Sequence, residues 1–65
     1  MMNWRYDHEA DAAYLRLTDA KVVESDEVAD DIVIDLDADN KIVGIEVLHA
    51  SRRLADSILH PAAAE

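Results

Sequence analysis

DIVIDLDADNKIVGIEVL, residues Asp31–Leu48, decides the fold. Ile32, Ile34 and Leu36 alternate with Val33, Asp35 and Asp37, the period-2 pattern of a half-buried strand. Val43, Ile45 and Val47 repeat it on the return. A two-residue turn at Asp39-Asn40 sets Leu36 opposite Val43, Ile34 opposite Ile45 and Ile32 opposite Val47. That register puts both apolar rows on one side, and a slip of one residue would turn every side chain over. Asp39 and Asn40 both tolerate the positive φ that a type I′ turn requires. The hairpin specifies a fold and discloses no activity.

Working towards the N-terminus, Val22–Ala29 places Val22, Val23 and Val28 among acids and reads as a short edge strand or an irregular loop. Like charges on an edge discourage sheet-to-sheet aggregation. Ala12–Thr18 alternates again, with Ala13, Leu15 and Leu17 inward and Tyr14, Arg16 and Thr18 outward. Asn3–Tyr6 sets Trp4 and Tyr6 on one side, and the polar Asp7–Asp11 connects the two as a second hairpin. Beyond Leu48 the period changes. Ser51 caps a helix whose Leu54, Ala55, Ile58 and Leu59 form one apolar stripe, ended by His60 before Pro61. So short a helix needs tertiary packing. The expected architecture is α+β: an antiparallel β-meander of about four strands followed by one C-terminal helix. It forms a single domain over residues 1–60, with 61–65 a frayed tail.

The chain has 65 residues, 51% of them hydrophobic, and no cysteine to staple the fold. A domain of this size is marginal alone. One helix cannot cover both sheet faces, and the outer face carries Tyr14, Val33 and Ile42, with Leu48 at the strand end. Homodimerisation is the simplest expectation. No apolar run approaches a membrane span, and the N-terminus lacks the pattern of a signal peptide, so the expected location is the cytoplasm. Fifteen acidic side chains stand against six basic ones, a net charge of −9. Nine of the carboxylates fall between Asp19 and Asp39, beside the single cation Lys21. Direct nucleic-acid binding is disfavoured, and a basic protein partner fits better.

The sharpest chemical motif is a near-match to a calcium loop. Asp35, Asp37 and Asp39 occupy the first, third and fifth positions, Ile42 the eighth and Glu46 the twelfth. Asn40 replaces the turn glycine, and both flanks alternate as strands where the motif needs helices. The expectation is therefore no defined metal site, with weak cation or small-ligand binding by the Asp35–Glu46 carboxylates as the competing reading. His8, His49 and His60 have no ligating spacing. Thr18, Ser25, Ser51 and Ser57 lie in no nucleophile elbow, and the single glycine, Gly44, excludes phosphate-binding loops. No catalytic residue and no cofactor is expected. Arg52-Arg53 opposes the dipole of its helix and calls for an ion pair with the acidic stretch. Asp30, Asp31, Asp35, Asp37, Arg52 and Arg53 are the candidate partner-binding residues.

Tyr6-Asp7 with Glu9-Ala10-Asp11, Tyr14-Leu15-Arg16-Leu17, Asp35–Asp39 and Ile42-Val43-Gly44-Ile45-Glu46 followed by Ala50-Ser51 carry a family pattern. From Tyr6 to Leu54 the chain resembles the small prokaryotic domain of unknown function 2283. His8 and Asn40 depart from it, where proline and glycine are common; both positions fall in turns. The pattern holds no catalytic motif. The resemblance implies a small stand-alone domain with an antitoxin-like or partner-binding role.

Overall fold

The computed structural model describes residues 3–59. Five strands follow in order: β1 (Asn3–Asp7), β2 (Ala12–Arg16), β3 (Glu24–Ala29), β4 (Ile32–Leu36) and β5 (Ile42–Leu48). They form one antiparallel sheet ordered β1-β2-β5-β4-β3, and two short helices, α1 (Ala50–Arg53) and α2 (Asp56–Leu59), follow it. The α+β class stands, while the expected four strands become five. Glu24–Ala29 pairs with β4 despite its acids. Only β3, β4 and β5 run as a meander; the β1–β2 hairpin closes onto the free edge of β5. The last strand in sequence is therefore the central one in space.

Cross-strand pairing sorts the side chains into rows. Trp4, Leu15, Ile45, Ile34 and Asp26 form one row spanning all five strands, and Tyr6, Ala13, Val47 and Ile32 form the next. Both lie on the side covered by the helices. The opposite face carries the rows Arg5, Tyr14, Glu46, Val33, Glu27 and Asn3, Arg16, Gly44, Asp35, Ser25. One face is thus apolar and the other polar, as the period-2 pattern demands.

The central hairpin keeps its expected pairs Ile32–Val47 and Ile34–Ile45, but its turn is different. The Asn40 amide donates to the Asp37 carbonyl (3.0 Å) and the Asp37 amide to the Lys41 carbonyl (2.9 Å), so the loop is Ala38-Asp39-Asn40. Only Asn40 takes positive φ (65°), giving a three-residue turn with a left-handed third position in place of type I′. The Asp37 carboxylate stabilises it, accepting the amides of Asp39 and Lys41, each at 2.9 Å. An odd-length turn shifts the register by one, so Leu36 pairs with Ile42. An irregularity between Asp35 and Leu36 then restores the expected register.

The C-terminal segment is also corrected. α1 closes with the Leu54 amide on the Ala50 carbonyl, and Leu54 is extended (φ −110°, ψ 150°), so one helix becomes two. In an unbroken helix Leu54 and Leu59 would point about 140° apart. The break lets both reach the core, where Leu59 joins fully buried Ala13 and Ala50, and Trp4, Tyr6, Val47 and Leu54 pack around them. Ser51 is not the cap: that position is His49, in the left-handed region, and its own side chain makes no capping bond. The expected helix end at His60-Pro61 and the tail 61–65 lie outside the described residues. At the other end of the sheet, Leu36 and Val43 are buried where the 17–23 connection passes. There the Leu17 amide donates to Val43 and the Val23 amide to Leu36.

Candidate functional site

Two aspartates just ahead of strands fasten the β5–α1 junction. Asp11 (φ 52°) and Asp31 (φ 67°) both adopt the left-handed conformation that short polar side chains tolerate. The Asp11 carbonyl accepts the Ala50 amide (2.8 Å) and the Asp31 carbonyl accepts the Leu48 amide (2.7 Å). Their side chains then diverge in role. The Asp11 carboxylate accepts the Tyr6 hydroxyl (2.7 Å), the Ser51 amide (2.9 Å) and the Ser51 hydroxyl (2.7 Å), so it caps α1 from forty residues away. The Asp31 carboxylate meets His49 Nδ1 at 3.0 Å and accepts Arg53 Nε at 3.1 Å. The hydrogen bond from Tyr6, then that from Ser51, holds the Asp11 carboxyl below the ordinary aspartate value; the His49 contact does so first for Asp31. The Tyr6 hydroxyl is raised in turn by Asp11.

The polar face carries a second network. Tyr14 lies across Gly44 and donates its hydroxyl to Asp35 (2.7 Å), whose other oxygen accepts Ser25 (2.7 Å). Burial, then the Asp35 contact, raises the Tyr14 hydroxyl above its ordinary value. Arg16 holds the β2–β3 connection by donating to the carbonyls of Thr18 and Ala20.

Of the six candidate residues, the structure brings Asp31, Arg52 and Arg53 around one shallow depression. Arg53 pairs with Asp31, the ion pair with the acidic stretch that the sequence called for. The Arg52 amide donates to the His49 carbonyl (2.9 Å), and its guanidinium makes no hydrogen bond or ion pair among the described residues. Asp35 and Asp37 are occupied within the fold, by Tyr14 with Ser25 and by the turn amides respectively. Asp30 remains exposed in the β3–β4 turn, next to an edge strand whose six residues, Glu24–Ala29, are all exposed. The acidic surface is therefore the β3 edge rather than the Asp35–Asp37 carboxylates. The calcium-loop spacing does not converge: among the described residues no three His, Asp or Glu side chains group to hold a metal ion. No helix among them is long and apolar enough to cross a membrane.

Sequence reading passed over the contacts of Asp11 with Tyr6 and Ser51, the His49–Asp31 pair and the Tyr14–Gly44 crossing. A glycine inside a strand, where it weakens pairing, was the available signal for a close approach from a neighbour.

An antiparallel five-stranded α+β domain, latched by polar contacts at its last strand and open along an acidic edge, is the class of protein defined here. The family described as "Protein of unknown function (DUF2283)" matches residues 3–51, and the chain belongs to that family. The chain matches no curated protein and no solved structure.

Proposed function

We propose that this domain is a non-enzymatic, cytoplasmic protein-binding module whose β3 edge takes a basic, extended segment of a partner as an added strand. The observation that carries this reading is β3 itself. It is an edge strand exposed along its whole length, it bears Glu24, Asp26 and Glu27, and Asp30 follows directly. An exposed edge offers backbone donors and acceptors, and flanking charge selects the partner. Acids alone would serve to keep the edge solitary. Val23 and Val28 stay 61% and 54% exposed there, and apolar side chains at such an edge favour contact over mere protection. An antitoxin-like role against a basic protein fits the same surface.

The test is a low-salt capture from native lysate with the wild-type chain and with the double variant Glu27→Lys, Asp30→Lys. A stoichiometric basic protein that salt releases, and that the variant fails to retain, supports the reading. Equal retention by both chains removes the β3 edge as the site.

A further inference from the structure

The order of side chains along β3 says more about its partner than charge alone. Glu24 pairs with Leu36 and Asp26 with Ile34, so both carboxylates lean to the helix side of the sheet. Ser25 pairs with Asp35 and Glu27 with Val33, so these two lean to the polar side. Ser25 is already spent, its hydroxyl donating to Asp35 (2.7 Å), while the three acids are exposed. Val28 interrupts the ladder. The register shifts between Glu27 and Ala29, and a residue bulged from an edge bends the strand away from further pairing. The regular part of the edge is therefore Glu24–Glu27, with carboxylates at its first, third and fourth positions and a neutral side chain at its second.

That spacing is not symmetric along the chain, so it carries a direction. A strand added to an edge sets each of its side chains on the same face as the residue opposite. Antiparallel addition continues the pairing of every neighbouring pair in this sheet, and it is the more stable of the two directions.

We propose that the partner's segment adds antiparallel to Glu24–Glu27 and reads, from its N-terminal end, cation, cation, neutral, cation. This deepens the β3 edge reading and rests on it. The first cation faces Glu27 on the polar side, and the second and the last face Asp26 and Glu24 on the helix side. The neutral residue lies against Ser25, where a further cation gains no acid. The backbone ladder supplies the attachment, and the acids fix the direction and register in which the segment lies. A segment of the opposite order meets all three acids only by adding parallel; in any antiparallel register it meets two at most.

Two peptides of identical composition, TKKVKT and TKVKKT, test this with the full chain in low-salt amide NMR titrations. Both are expected to shift the amides of β3, with TKKVKT bound roughly threefold tighter, the worth of one opposite-charge cross-strand pair. Glu27→Gln should erase that difference, because each peptide then meets two acids. Glu27 is exposed, so the variant keeps its fold, and unchanged amide positions outside β3 check this. Equal binding of the two peptides at β3, or tighter binding of TKVKKT, overturns the proposed order and leaves the edge reading standing. A preference that survives Glu27→Gln overturns the order as well. Peptides that move no β3 amide overturn both.

Discussion

Tyr14 reaches Asp35 only because residue 44 has no side chain. An ideal Cβ on Gly44 would lie 2.9 Å from Tyr14 Cζ and closer still to its hydroxyl. The backbone of Gly44 is not in the left-handed region, so the glycine serves this crossing and not a turn. Gly44→Ala must therefore displace the ring and break the 2.7 Å bond to Asp35. The expected cost is about 1–3 kcal/mol in urea denaturation. In a Tyr14→Ala background the same substitution should cost little or stabilise, because alanine suits a strand better than glycine. Additive effects would mean that the ring does not rest on Gly44.

Asp37 supports the central turn through two amides, and its removal should be felt locally. Asp37→Ala is expected to lower stability by about 1 kcal/mol. Asn40→Gly should raise it by roughly 0.5 kcal/mol, since glycine takes positive φ without steric cost. Equilibrium denaturation of the two variants, with an unchanged m-value, is the check.

Asp11 joins the first hairpin to α1, so Asp11→Ala should loosen the C-terminal segment more than the sheet. Hydrogen exchange should speed up at the Ala50–Leu54 amides while β4 and β5 remain protected. Tyr6→Phe should produce a smaller change in the same amides, because Ser51 still holds the carboxylate. Uniform acceleration across the sheet would contradict a local latch.

Acid should act through the same two carboxylates. Asp11 and Asp31 lie below their ordinary value of 3.8 in the folded protein, so their contribution is complete above that value and disappears as pH falls beneath it. Denaturation midpoints measured downward from pH 6 should stay level and then drop below about pH 4. Asp11→Asn should flatten that drop. A Tyr6 hydroxyl raised by Asp11 adds the mirror effect, a loss of stability as pH climbs past 10.0.

The pairs Ile32–Val47 and Ile34–Ile45 were legible in the sequence because a period of two admits one register on a two-sided sheet. The turn between them was not. Two compensating irregularities, an odd loop and a shifted pair at Leu36, leave the alternation of the interior pairs untouched and so leave no trace in the pattern. The helix break escaped for a related reason: Leu54 and Leu59 look like one stripe until the angle between them is compared with the position of the sheet. Arg53 could be matched to an acid by charge alone, and it pairs with Asp31. Asp11 could not be found that way. Its partners Tyr6 and Ser51 lie 5 and 40 residues away, and nothing in local sequence announces a carboxylate that caps a distant helix.

The position of β5 has a consequence for how the domain comes into being. Both hairpins lie against the strand of this sheet that is synthesised after the other four, and the aspartate ahead of each hairpin's second strand waits for a backbone amide at or after Leu48. A growing chain can form β1–β2 and β3–β4 as separate ribbons, but two-stranded ribbons are marginal in water. Synthesis through residue 50 is what turns two transient pieces into one cooperative unit, so the half-made protein is open to capture and cleavage until its final strand arrives.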